Sequence, residues 1–345
     1  MPLRSRAIQP PTLSVIIAAY NIADFIGGCL DSLVVEPRGD HEIIVVDDGS
    51  TDATPDILAD RSTRHPQIRL IQRENGGAGA ARNTGISAAS GQYLTFIDGD
   101  DWVEPGYIDT CLAEISASPG TELWVFDYID ITSSGRYRQS CAADFWSCRN
   151  APWNKIYRRD LIGEDRFDED ILYEDLAAVR PWVARAKQKR RVNRALYNYR
   201  NLREGSTMSS IDTTRFFDLF TAADRCMQRI ESSLGAHEAR AALGNDWRKR
   251  FYTSDVFIPG LVDWPRKIEV AGLRRRYAAE FTTHLNENTD GISKRLLARD
   301  FGFKIALAAL CYEHSALATG DFLLHRMGRM KRRLMTRLSS NRRSV

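Results

Sequence analysis

Tyr93-Leu-Thr-Phe-Ile-Asp-Gly-Asp-Asp-Trp102 begins as a short apolar run and ends with Asp98, Asp100 and Asp101 close together. A run this short and rich in β-formers reads as a strand buried on both faces. Working outward, the same character recurs in Leu13-Ser-Val-Ile-Ile-Ala-Ala19, Glu42-Ile-Ile-Val-Val-Asp47 and Ile68-Arg-Leu-Ile-Gln72. Between these runs, residues 23–35, 54–62 and 78–89 are of helical type. Strand and helix in alternation predict an α/β domain with right-handed crossovers. Leu123-Trp-Val-Phe-Asp-Tyr-Ile129 is predicted as a later strand.

Polar residues collect where the strands end. Ala19-Tyr20-Asn21 follows the first, Asp47-Asp48-Gly49-Ser50 the second, and Asp98-Gly99-Asp100-Asp101 the fourth. One Asp pair of this kind is often a turn or a helix cap. Three clusters at strand ends predict a shared crevice, since open α/β sheets bind ligands outside the carboxyl ends of their strands. Asp98 and Asp100 form a compact hard-oxygen site that suits Mg²⁺ or Mn²⁺ sharing its shell with phosphate and water. Gly99 between them would let a diphosphate approach the backbone. No His or Cys neighbours the cluster, which argues against zinc. The Gly-rich turn at residues 75–83 fails the dinucleotide fingerprint, because Arg82 stands where a third glycine belongs. The G-x-x-x-x-G-K-[ST] phosphate loop is absent as well.

Four stretches together resemble glycosyltransferase family 2 on the GT-A fold. They are Ser14-Val-Ile-Ile-Ala-Ala-Tyr-Asn21, Ile44-Val-Val-Asp-Asp-Gly-Ser-Thr-Asp52, Asn75-Gly-Gly-Ala-Gly-Ala-Ala-Arg-Asn-Thr-Gly-Ile86 and Tyr93 to Trp102. Trp153-Asn-Lys155, Tyr173-Glu-Asp175 and Tyr199-Arg200 with Ser206 extend the likeness toward bacterial members that build surface polysaccharides. The resemblance implies a Rossmann-like mixed sheet flanked by helices. It also implies roles. Ala18 and Tyr20 would contact the nucleotide, Asp48 its base (usually uracil), and Arg82 the base or ribose. Asp98 would bind ribose or metal, with Asp100 the principal metal ligand. Asp175 matches the general base, with Glu174 beside it.

The case for Asp175 stands partly on chemistry alone. Inverting transfer needs one carboxylate to take the acceptor proton. It needs no second one for the leaving group where a metal stabilises the departing diphosphate, unlike hydrolases that pair two carboxylates across the bond. Asp175 also precedes Leu-Ala-Ala-Val, so it fits a first helical turn, and the two roles are compatible. Trp153-Asn-Lys155 reads either as a structural turn or as the floor of a sugar pocket. Arg200 and Ser206 would close over the diphosphate, with Arg suited to bidentate phosphate contacts; Arg200 equally fits a solvated basic surface.

The rest of the chain bounds these readings. With 345 residues and 43% hydrophobic content, it is long enough for about two domains. A net charge of +3 identifies no partner. Six cysteines without a CxxC spacing read as buried free thiols. The N-terminus lacks the apolar core of a leader, and no apolar run reaches ~18 residues, so a cytoplasmic protein is expected. Residues 1–11 are expected to be flexible, 12–210 catalytic, and 211–321 helical and engaged with acceptor or membrane. Phe216, Leu219, Phe220, Ala223 and Met227 recur at helical spacing and read as core. The aromatic-rich stretch from Trp247 to Trp264 reads as packing in preference to an acceptor path. Residues 322–345 are basic, with Leu323, Met327, Met330, Leu334 and Leu338 interleaved. They read as an amphipathic anchor on the anionic inner membrane face or as a solvated tail. Without interleaved aromatic residues they do not read as a nucleic-acid arm. The expected activity is inverting, metal-dependent transfer from a UDP-sugar to a glycan or lipid-linked acceptor in cell-surface polysaccharide synthesis. A nucleotidyltransferase and a non-catalytic polysaccharide-binding protein are the rivals.

Overall fold

The computed structural model describes residues 10–34, 39–201, 217–245 and 247–251, together with Arg215 and Asp255. Ser206, Phe216 and the amphipathic tail at 322–345 lie outside the described residues, as do the aromatic positions from 252 onward. The chain divides into two compact units, Met1–Ser210 with Gln228–Ala239, and Ile211–Met227 with Arg240–Val345.

The first unit is built on a mixed sheet. Strands β1 (Leu13–Ala19), β2 (His41–Asp47), β3 (Ile68–Gln72) and β4 (Tyr93–Asp98) alternate with helices α1 (Ala23–Leu33), α2 (Thr54–Arg64) and α3 (Gly77–Ala88). A short β5 (Trp102–Val103), α4 (Tyr107–Ala117), β6 (Leu123–Thr132), β7 (Gly135–Gln139), β8 (Lys155–Arg158), α5 (Arg159–Ile162), α6 (Glu174–Arg185) and β9 (Lys189–Arg200) follow. The strand order is β3-β2-β1-β4-β8-β6-β9-β5, with β7 paired to β6. The first four strands are mutually parallel. Strand β8 runs antiparallel to both β4 and β6, while β9 is parallel to β6 and antiparallel to β5.

Strands β1, β2 and β4 are interior because of their composition, while β3, with Arg69 and Gln72 exposed, forms the edge and is not buried on both faces as its sequence suggested. Val15, Ile16, Ile17, Ile43, Ile44, Val45, Val46, Leu94 and Phe96 are all fully buried. Each such side chain contributes roughly 1.5–3 kcal/mol when removed from water. The chain leaves β1 toward β2 and β3, then returns through α3 to place β4 on the other side of β1. Strand direction and order therefore put a switch point at the carboxyl ends of β1 and β4, where α/β sheets open a crevice.

Helix α7 (Asp218–Leu234) belongs to the second unit up to Met227 and to the first from Gln228, α8 (Ala236–Leu243) passes back to the second unit after Ala239, and α9 (Trp247–Phe251) lies in the second. Leu219, Phe220, Ala223 and Met227 are buried along one stripe of α7, and Trp247 and Phe251 are buried in α9. Among the described residues, no helix is long and apolar enough to cross a membrane.

Candidate active site

The parallel strands bring the three polar ends together. In register, Ala18 lies opposite Asp98 and Ala19 opposite Asp47. The Gly99 amide donates to the Ala18 carbonyl at 3.2 Å, and the Asp48 amide to the Ala19 carbonyl at 2.9 Å. Ala18 is half-buried, and Tyr20 is exposed at the rim. Asn21 has a left-handed φ of 49°, and its Oδ1 accepts from the Thr51 amide at 2.8 Å.

Asp48 is buried and already engaged. Its oxygens accept from the Gly76 amide at 3.1 Å and the Gly77 amide at 2.7 Å, and Arg73 lies 3.1 Å away. Burial pushes its carboxyl up from the ordinary range, while the two amides and Arg73 pull it back. Asp48 thus shapes the Gly-rich turn whatever else it contacts. Gly99 is likewise accounted for by packing. A Cβ there would meet Ile22 Cδ1 at 2.5 Å and the Ala18 carbonyl at 2.9 Å. A side chain at this position would not fit between β1 and Ile22.

Arg82 is the hinge of the site. Helix α3 carries it into the interior, where Nη2 donates to Asp98 Oδ1 at 2.9 Å and Nη1 to Glu174 Oε1 at 2.7 Å. Its guanidinium lies 5.4 Å from the Phe167 ring centroid. Burial works against its charge, but Asp98 and Glu174 more than offset that and raise its pKa. The next residue, Asn83, brackets the same segment: it donates to the Phe167 carbonyl at 2.9 Å and accepts from the Phe167 amide at 2.9 Å. Gly79, one turn earlier, lets that segment approach, since a Cβ would stand 2.5 Å from the Asp168 carbonyl.

Helix α6 opens beside this arrangement. Tyr173, at its N-cap, has φ 67°, a left-handed conformation that costs of order 1–3 kcal/mol for a non-glycine residue. This turn sets Glu174 and Asp175 in the first helical turn. Glu174 is taken by Arg82. Asp175 is half-buried, and its Oδ1 accepts from the Leu176 amide at 2.7 Å. Withdrawal from solvent raises the Asp175 pKa, against the pull of Arg82, the Leu176 amide and Arg149. A carboxylate biased in that direction is a better proton acceptor near neutral pH.

Asp100 and Asp101 divide the remaining work. The Asp100 carbonyl accepts from Arg200 Nε at 2.9 Å. Asp101 is 2% exposed; its carboxylate accepts from Tyr197 Oη at 2.6 Å and the Arg200 amide at 2.7 Å. Burial first, then the charges of Asp98 and Asp100, push Asp101 up to about 8. The site therefore holds more negative charge than its own cations balance. Arg200 is not merely solvated: its guanidinium lies 4.8 Å from the ring centroids of both Phe25 and Trp102.

Trp153 is 2% exposed and stacks on Tyr197 at 4.4 Å and Tyr199 at 5.2 Å. Of the two readings of Trp153-Asn-Lys155, the contacts support a structural role. The Asn154 amide caps the Phe126 carbonyl at 3.0 Å. Lys155, wholly buried, donates to the carbonyls of Arg149 at 2.8 Å and Ala151 at 2.7 Å and to Asn154 Oδ1 at 2.6 Å. The sequence reading missed Arg149, Tyr197 and Asn83. Asn83 alone carried a signal, standing next to Arg82 in the Gly-rich motif. Among the described residues, no group of three or more His, Cys, Asp or Glu is arranged to hold a metal. Five of the cysteines are buried and free; Cys311 lies outside the described residues.

A Rossmann-like mixed sheet with carboxylates gathered at its switch point defines the GT-A class of nucleotide-sugar transferase folds. Residues 14–180 match the model "Glycosyl transferase family 2", and this segment of the chain belongs to that family. The fold likeness extends further. The crystal structure of S. aureus TarS 1–349 in complex with UDP matches with a TM-score of 0.65 at 19% identity, covering 92% of each chain. Its UDP-GlcNAc complex gives 0.64. Among curated proteins, the putative glycosyltransferase EpsH of Bacillus subtilis is 35% identical over 175 residues, 46% of this chain and 50% of EpsH. Glycosyltransferase GlyA of Streptococcus pneumoniae is 32% identical over 240 residues, 63% of this chain and 34% of GlyA. The chain thus spans half or less of the length of these two relatives.

Proposed function

We propose that the chain is an inverting glycosyltransferase that moves a sugar from a UDP-sugar to a hydroxyl of a glycan or lipid-linked acceptor in cell-surface polysaccharide synthesis. The observation that carries this reading is the Asp98–Arg82–Glu174 bridge. It fixes the strand-end carboxylates and the half-buried Asp175 within one ionic arrangement. The family match over residues 14–180 and the UDP bound by TarS support the donor class.

Ala18, Tyr20 and Asp48 form the nucleotide side, and Asp175 accepts the acceptor proton. Glu174 is a positioning residue, because its carboxylate already holds Arg82. Trp153 supports the sugar pocket from beneath. A divalent cation fits the donor set: hard oxygens only, with surplus negative charge that keeps Asp101 inclined to hold its proton. Asp100 and Asp98 would hold Mn²⁺ or Mg²⁺, which stabilises the departing diphosphate. Arg200 adds positive charge near the leaving group, and Ser206 a neutral hydroxyl donor. The catalytic region is taken as 12–210 and the acceptor-handling region as 211–321. The tail at 322–345 would rest on the cytoplasmic membrane face.

The test is UDP binding by calorimetry with and without Mn²⁺. Wild type should bind more tightly with Mn²⁺, and Asp100→Ala should lose that increment while keeping metal-free affinity. Binding indifferent to both chelator and substitution would remove the metal assignment.

A further inference from the structure

Arg149 stands on the loop before β8 and has no part in the reading above. Its main chain is held in place by charge. The buried Lys155 ammonium needs acceptors, and the Arg149 carbonyl is one of them. Its side chain is held by rings. The guanidinium lies 5.2 Å from the Tyr128 ring centroid, 5.3 Å from Trp153 and 5.0 Å from Tyr199. Nη1 also donates to Tyr128 Oη at 2.8 Å. Tyr199 and Trp153 are nearly parallel, at 16°, and Tyr128 meets Trp153 edge-on at 79°. The residue is exposed despite this support.

Such a built setting is unusual for a surface arginine, which gives up side-chain entropy for each contact it keeps. Among the described residues, no carboxylate forms an ion pair with Arg149, whereas Arg82 holds two. Desolvation by its surroundings works against its charge, but Tyr128, Tyr199, Asp175 and Asp130 more than offset that and favour the cation. A guanidinium fixed over aromatic faces keeps edge N–H donors for a planar or tetrahedral oxyanion. Asn150, the next residue of this loop, accepts from Arg180 on α6, the helix whose first turn carries Asp175; with Asp175 as the base, the ligand of Arg149 belongs on the acceptor side.

We propose that Arg149 binds the anionic group of an acidic acceptor saccharide, a phosphate or a uronate carboxylate, beside Asp175. This rests on the reading of Asp175 as the base. Arg149 is then a specificity residue. Lys155 fixes its loop, and Tyr128, Trp153 and Tyr199 form its shelf.

The experiment is calorimetric titration of the full chain with glycerol 3-phosphate and with glucuronate. Glycerol and glucose serve as neutral counterparts, and UDP with Mn²⁺ as a separate arm. Wild type should bind at least one of the anions and neither neutral compound. Arg149→Met, which keeps bulk over the rings, should weaken anion binding by about tenfold or more. Arg149→Lys should retain part of it, and both variants should bind UDP as wild type does. Preference for the phosphate assigns a phosphorylated acceptor, and preference for glucuronate a uronate. The proposal is overturned if neither anion binds wild type, or if Arg149→Met binds the anions equally well. It is also overturned if UDP binding falls together with anion binding, which would place Arg149 on the donor side. Arg149-dependent anion binding without any UDP binding would overturn the functional reading and with it the acceptor assignment, leaving Arg149 as an anion site alone.

Discussion

The parallel half of the sheet, β3-β2-β1-β4, and the mixed half, β8-β6-β9-β5, position side chains by different means. In the parallel half the main chain does the placing. Asp48 and Gly99 are held by amide-to-carbonyl bonds to β1; the Asp48 carboxylate accepts from two main-chain amides, and a Cβ at Gly99 would meet the Ala18 carbonyl as well as Ile22. In the mixed half the side chains hold one another. Lys155 is buried against loop carbonyls, Trp153 stacks on Tyr197 and Tyr199, and Arg149 lies across three rings. Arg82 joins the two halves, with Asp98 from the first and Glu174 from the second. Under the proposed function, donor handling would fall to a rigid backbone frame and proton transfer to a side-chain assembly whose charges can be tuned.

The largest effect should come from separating those tasks. Asp175→Asn keeps shape and removes the base, so transfer should fall by about 10²–10⁴-fold while UDP affinity stays within twofold. The wild-type rate should also carry an acid limb. Asp175 has a pKa raised by withdrawal from solvent, so activity is lost as pH falls through a value above the ordinary aspartate range. Removing a neighbouring cation, as in Arg149→Met, should move the limb further up. A parallel tenfold loss of UDP binding in Asp175→Asn would show that the two halves are not functionally separable.

Next in size is the link itself. Arg82→Met leaves Asp98 and Glu174 facing each other in a largely buried setting without their cation. Breaking such an arrangement costs about 3–5 kcal/mol, measurable by urea unfolding. Glu174→Gln in the same background should recover part of that loss, since one of the stranded charges is gone. A cost under about 1 kcal/mol would mean that packing at Gly79 and Asn83, and not the ion bridge, holds α6 to the sheet.

How much was readable from sequence follows the same division. Strands β1, β2 and β4 announce themselves as short runs rich in apolar β-formers because both of their faces are covered, whereas β3 lies at the edge with Arg69 and Gln72 exposed. The polar strand ends mark the crevice, because Asp48 and Asp98 to Asp101 gather at the carboxyl ends of neighbouring strands. Strand β9 hides, because only some of its residues are buried and Arg190, Arg191 and Arg194 interrupt any alternation. The role of Arg149 is not legible at all. Its setting is made by residues 128, 153 and 199, which only the β6-β9 pairing and the turn into β8 bring together. The packing need for Gly99 was hidden for a related reason: a glycine between two carboxylates reads as room for a ligand, and the residue that crowds it, Ile22, is far off in sequence.

That glycine supplies the smallest and most discriminating test. In Gly99→Ala the Ile22 methyl can rotate aside, but the Ala18 carbonyl belongs to the β1 ladder and cannot. Overpacking of this kind costs about 1–3 kcal/mol. If the parallel half is a backbone frame, the variant should lose that stability in urea unfolding while its folded fraction binds UDP as wild type does. Should stability instead hold and UDP affinity drop, the Cβ must be meeting the ligand and not the chain. Backbone placement would then no longer distinguish the two halves, because Gly99 would serve the donor directly as Arg149 is proposed to serve the acceptor.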